Sequence, residues 1–86
     1  PNSFTPNADG NNDVFKVEGS YLYDKEFTFS IFNRWGEIIF EGHSPDKGWD
    51  GTYNGLDAQI DTYIYKLVIK DHINTYEYTG HVTLVR

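Results

Sequence analysis

The sequence predicts an all-β fold, an antiparallel β-sandwich of about seven short strands. Three observations carry this. Aromatic residues make up 17% of the 86 residues, with seven Tyr and six Phe, and aromatic side chains favour strands. Apolar residues recur at every second position in the longer runs, and no window shows the 3.6-residue spacing of an amphipathic helix. Turn-forming clusters separate the runs at short intervals. A chain of this length is one domain. It buries roughly 60–65% of its unfolded surface, which suffices for a single core.

Each element follows from its own residues. Residues 14–18 make a short strand candidate. In residues 26–32, Phe27, Phe29 and Ile31 alternate with Thr28 and Ser30. This is the mark of a strand with one face packed and one wet. Asn33-Arg34-Trp35-Gly36 reads as a hairpin turn into a short strand at 37–41. Residues 42–61 are irregular, with turn signals at Gly48-Trp49-Asp50-Gly51 and Tyr53-Asn54-Gly55. In residues 63–70, Tyr63, Tyr65, Leu67 and Ile69 share one face, with Lys66 and Lys70 on the other. Asp71-His72-Ile73-Asn74 turns the chain again. In residues 76–85, Tyr76, Tyr78, Val82 and Leu84 oppose Glu77, Thr79, His81 and Thr83. The tyrosines at 63, 65, 76 and 78 are expected on the covered face. Lys66, Lys70 and Glu77 are expected to protect sheet edges with charge. Many short strands and tight turns in under 100 residues point to an Ig-like sandwich.

Charge narrows the partners. Seven Lys and Arg stand against thirteen Asp and Glu, a net charge of −6, and the basic residues are scattered. Nucleic-acid backbones require clustered cations, so no nucleic-acid partner is expected. No apolar run approaches the roughly 20 residues of a membrane-spanning helix, and membrane insertion is not expected. The sequence has no Cys and no Met. Thiol catalysis and disulfide staples are therefore excluded. The chain, starting at Pro1, reads as a piece of a longer protein. His43, His72 and His81 are dispersed, and no nucleophile or phosphate-cradling motif accompanies them. The expectation is a non-enzyme.

Three stretches stand out in order. They are Phe4-Thr5-Pro6-Asn7-Ala8-Asp9-Gly10-Asn11-Asn12-Asp13-Val14-Phe15, then Ile31-Phe32-Asn33-Arg34-Trp35-Gly36-Glu37-Ile38-Ile39-Phe40, then Gly48-Trp49-Asp50-Gly51-Thr52-Tyr53-Asn54-Gly55 followed by Asp61-Thr62-Tyr63-Ile64-Tyr65. Together they resemble the gliding-motility-associated C-terminal domain, the type B sorting domain of the type IX secretion system. The likeness covers essentially the whole chain. The ending, Gly80-His81-Val82-Thr83-Leu84-Val85-Arg86, looks like that family's last strand. Ala8 departs from it, since the family commonly has Gly there, a residue with freer backbone conformation.

The resemblance implies that residues 1–86 are a single C-terminal sorting domain, excised from a larger exported protein of Bacteroidetes-type bacteria. It implies a folded address label. The parent would reach the outer-membrane surface or the medium through the periplasm. The implied partners are the type IX translocon and an outer-membrane protein of the PorP/SprF kind. The isolated domain is expected to be monomeric. Docking candidates are Arg34 and Trp35 at the hairpin tip and Thr83, Leu84, Val85 and Arg86 in the last strand, which is a candidate open edge. The alternative function is an Ig-like carbohydrate-binding or adhesion module, with exposed tyrosines stacking on sugar rings. Tyr21, Tyr23 and Tyr53 are the freer ones for that role.

Several side chains have two readings. Asn7, Asp9, Asn11 and Asp13 crowd oxygen atoms into one loop. They either ligate Ca²⁺, which takes six to eight oxygens, or form Asx-turns with nearby N–H groups. Trp35 either anchors a partner or folds back over Ile38 or Phe40, and packing is the favoured expectation. Arg34 is expected to stack on an aromatic ring or pair with an acid. Trp49 is expected to plug the core among Tyr63, Tyr65 and Phe29. Asp50 is expected to hold the turn that Gly51 completes.

Overall fold

Alternation of period two becomes register in the computed structural model, which describes residues 3–6, 14–17 and 25–85. The strands among these are β1 (Ser3–Phe4), β2 (Glu26–Phe32), β3 (Ile38–Gly42), β4 (Thr52–Tyr53), β5 (Leu56–Asp57), β6 (Asp61–Lys70) and β7 (Thr75–Leu84). The main sheet runs β1-β7-β6-β2-β3, and β4 and β5 form a small second sheet. Three long strands pair antiparallel so that same-face residues line up in rows across the sheet. Phe27, Ile69 and Tyr76 make one row, Phe29, Leu67 and Tyr78 the next, then Ile31, Tyr65 and Gly80. These rows form the core face.

A second layer covers that face. Phe15 and Trp49 exchange two backbone N–H to carbonyl hydrogen bonds of 2.8 and 2.9 Å, an antiparallel bridge. Trp49 is 1% exposed, and its indole N–H donates to the Thr52 carbonyl at 2.9 Å. Its ring lies 4.8 Å from Tyr63 and 5.4 Å from Phe4. Phe15 carries the contact onward to Phe29 and Tyr65, at 5.7 and 5.6 Å. These spacings suit aromatic pairs, each of which adds about 0.5–1.5 kcal/mol beyond burial. The expected Trp49 plug is present, but it touches Phe29 and Tyr65 through Phe15.

Close packing also explains one glycine. A Cβ at Gly80 would collide with the Tyr65 ring lying across it. Tyr65 thus uses the space that a side chain on β7 would take.

The fold differs from the expectation in five places. Of the strand expected at 14–18, the described residues 14–17 supply only the single bridge of Phe15 to Trp49, too short a pairing to make a strand. The sheet is mixed, because β1 runs parallel to β7 with Ser3 opposite Thr83 and Phe4 opposite Leu84. Alternation specifies a face but not a neighbour's direction. β6 lies in the middle of the sheet, so Lys66 and Lys70 guard no edge. Lys66 instead pairs with Glu77 across the outer face at 3.3 Å. Tyr76 and Tyr78 are exposed rather than covered, at a part of β7 that has, among the described residues, a strand on one side alone. Residues 52–57, read as irregular, form a tight hairpin. Asn54 and Gly55 both have positive φ, 55° and 80°. This is the signature of the Asn-Gly type I′ turn, whose twist matches a hairpin.

Candidate functional site

The β2–β3 tip is organised by one side chain. The Asn33 carboxamide oxygen accepts the N–H groups of Trp35 at 2.9 Å and Glu37 at 3.0 Å. Its NH₂ donates to the Glu37 carboxylate at 2.7 Å. Gly36 closes the turn with φ +81°, a conformation that glycine adopts without Cβ strain. Held this way, the tip projects Trp35 outward, 71% exposed. The expectation that Trp35 folds back over Ile38 or Phe40 is overturned. Ile38 is itself exposed, and Phe40 packs its ring against Phe29 instead.

Arg34 fulfils both of its expected roles. Its Nε and Nη2 donate to the two Asp61 carboxylate oxygens at 2.8 and 2.7 Å. Its guanidinium carbon lies 5.7 Å from the centre of the Trp35 ring, within cation–π range. The Arg34 hydrogen bonds, then the Thr62 N–H, hold the Asp61 carboxyl below the usual carboxylate range. Sequence reasoning missed Asp61, which lies 27 residues away. It also missed Leu56, which joins Trp35, Ile39, Tyr53 and Tyr63 in lining a groove of about 280 Å³. The signal available for Leu56 was the Asn54-Gly55 turn between two large apolar residues.

The second surface is the edge of β7. β1 covers Thr83 and Leu84 alone. Residues 75–82 have β6 on one side and, among the described residues, no strand on the other. The opposite edge of the sheet, β3, is shorter and carries a register irregularity between Ile31 and Phe32 of its partner strand. Bulges of that kind twist an edge and discourage pairing.

The last-strand candidates separate. Leu84 is 0% exposed. It is a core residue with no surface to offer a partner. Thr83 is half-buried beside Ser3. Val85 is exposed, and its N–H bonds the Phe4 carbonyl at 3.0 Å. Arg86 lies outside the described residues.

Asn7, Asp9, Asn11 and Asp13 also lie outside the described residues, as do Tyr21 and Tyr23. The flanks of the Asx-rich loop are described. Phe4 and Phe15 are both buried, with ring centroids 5.8 Å apart, so the chain on either side of the loop is anchored in one core. Among the described residues, no group of three or more His, Cys, Asp or Glu is placed to hold a metal ion. No helix among them is long and apolar enough to cross a membrane. The Asp50 carboxylate accepts the Thr52 N–H and hydroxyl at 3.1 and 2.7 Å. Gly51 follows with φ +84°, so Asp50 holds that turn as expected.

The described residues thus give a small all-β module two features on its surface, an exposed Arg–Trp tip and a strand edge at 75–82 that no described strand covers. Residues 1–84 match the CHU_C type IX secretion signal domain, and the chain belongs to that family. No curated protein and no solved structure matches it. Membership defines a sorting signal, which acts with the type IX secretion machinery on a protein exported to the cell surface or medium.

Proposed function

We propose that the domain sorts a larger parent protein by docking, without chemistry of its own. The parent crosses the periplasm, and the folded domain is then read at the outer membrane by the translocon with an outer-membrane protein of the PorP/SprF kind. The observation that carries this reading is the edge of β7 at residues 75–82, in a chain of a secretion-signal family. Free backbone donors and acceptors on a strand edge recruit an extended partner segment, and adjacent pockets give specificity.

The test is an export assay. Residues 1–86 are fused behind a signal peptide and a fluorescent reporter, in a type IX bacterium with and without its translocon. Surface or medium reporter that depends on the translocon supports the proposal. Reporter retained in the periplasm of both strains contradicts it.

A second reading has its own observation. Tyr76 and Tyr78 are exposed and, with Tyr65, Phe29 and Lys25, line a groove of about 730 Å³. Stacking of sugar rings on these tyrosines would make the domain a carbohydrate-binding or adhesion module. Polysaccharide retention lost in Tyr76→Ala and Tyr78→Ala, with export intact, would favour that reading.

A further inference from the structure

One end of the sandwich gathers large apolar side chains from three loops. Trp35 comes from the β2–β3 tip. Tyr53 and Leu56 come from the β4–β5 hairpin, and Ile60 precedes β6. All four are exposed, Leu56 by 73% and Ile60 by 57%. Trp35, Tyr53 and Leu56 wall the 280 Å³ groove, and Ile39, Ala58 and Tyr63 line it with them. Apolar residues scattered singly on a surface need no explanation, whereas a contiguous patch marks an interaction site. At about 280 Å³ the groove lies at the lower end of the roughly 300–1,000 Å³ of ligand pockets. Its walls are exposed side chains, which a protruding side chain of a partner protein can meet.

Two polar side chains at the groove, Asn33 and Asp61, are committed within the domain. The Asn33 carboxamide serves Trp35 and Glu37. Both Asp61 oxygens serve Arg34, and one also takes the Thr62 N–H. This bonding stiffens the walls. Charge then indicates the partner. Residues 33–37 and 50–61 hold Glu37, Asp50, Asp57 and Asp61 against Arg34 alone, with no lysine. Four carboxylates against one guanidinium give these two segments a net of −3, half the charge of the whole chain.

From this juxtaposition we infer a second docking surface. The groove takes an apolar side chain that is flanked by Lys or Arg on a protein of the export pathway. The inference rests on the sorting reading above and adds a site distinct from the β7 edge. Trp, Tyr and Arg are the residues that dominate binding hot spots, and here Arg34 orients Trp35 from its own anchor on Asp61. The carboxylates around them steer a basic partner into place and suppress acidic ones.

The experiment uses the full reporter fusion in strains with and without the translocon. Trp35→Ala combined with Leu56→Ser removes the apolar walls at exposed positions. Thermal unfolding of the purified fusion should be unchanged, while translocon-dependent delivery falls about tenfold or more, as loss of a hot-spot pair does. Glu37→Gln with Asp57→Asn keeps shape and removes charge, and should lower delivery about two- to fivefold through slower association. Normal delivery of a folded Trp35/Leu56 variant, alongside a delivered wild type, overturns the inference and leaves the sorting reading standing. Normal delivery with lost polysaccharide retention overturns it in favour of a sugar site. A wild type indifferent to the translocon removes the sorting reading and this inference together.

Discussion

Arg34 and Asp61 form a two-pronged ion pair, at 2.8 and 2.7 Å, that ties the β2–β3 tip to the first residue of β6. Bidentate geometry fixes the direction of the guanidinium as well as its distance. It therefore fixes the plane that Trp35 meets at 5.7 Å.

This pair gives stability a pH dependence of defined sign. The folded pKa of Asp61 is depressed, chiefly by the Arg34 hydrogen bonds. Its contribution is present above the unfolded carboxylate value of about 3.9 and is lost as pH falls through the lower folded value. Asp71, bonded by the Asn74 and Ile73 N–H groups, and Asp46, bonded by the Ser44 hydroxyl, act in the same direction. The melting temperature should fall as acidification carries the pH down through that window. Asp61→Asn should show a shallower fall than wild type. Thermal melts at a series of acid pH values decide, and parallel curves would refute the assignment.

The two tryptophans should respond oppositely to truncation. Trp49→Ala removes the centre of the aromatic cluster and should cost about 3–5 kcal/mol. Trp35→Ala removes a solvent-facing ring and should stay within about 0.5 kcal/mol. Urea denaturation reads both. Equal losses would mean that Trp35 packs in solution.

Gly80 and Tyr65 should be coupled. Gly80→Ala pushes a methyl group into the Tyr65 ring, an overpacking change that costs about 1–3 kcal/mol. In a Tyr65→Ala background the clash disappears, and the same substitution should cost much less. A double-mutant cycle measures the difference. Additive costs would show that the ring lies elsewhere.

Prolines can separate the two sides of β7. Successive strand residues point their N–H groups to opposite neighbours. Of Glu77→Pro and Tyr78→Pro, one thus removes a hydrogen bond to β6 and the other removes an edge donor that no described strand takes up. One variant should lose stability. The other should melt like wild type yet fail in the export assay. If the stable variant is exported normally, recognition does not use this edge.

The Asx-rich loop has a chelator test. We propose that Asn7, Asp9, Asn11 and Asp13 fix how the segment after the loop, from Val14 and Phe15 onward, enters the sandwich, either by holding Ca²⁺ or by Asx-turns. Asp9→Ala with Asp13→Ala should lower the melting temperature. If the ion is bound, chelator should lower the wild type equally and leave the double variant unmoved. A wild type insensitive to chelator leaves the Asx-turns alone.

Much of this molecule is readable in its order of residues. The alternation of Phe27, Phe29 and Ile31, and of Tyr63, Tyr65, Leu67 and Ile69, specifies strands and the face they bury. Asn33 to Gly36 and Asp71 to Asn74 specify where the chain reverses. These are local properties, set by side chains within a few residues of one another. The family likeness was equally legible, since its motifs are contiguous stretches. Other outcomes required the folded molecule. Trp35 precedes a glycine and Trp49 follows one, yet the first faces solvent and the second is the core plug. Period-two pattern placed Tyr76 and Tyr78 on the same face as Val82, but exposure depends on whether another strand or layer lies beside them. The parallel pairing of β1, the central place of β6 and the meeting of Arg34 with Asp61 join residues far apart in sequence. Such contacts are selected by how the whole core closes, a choice that no local window of the chain contains.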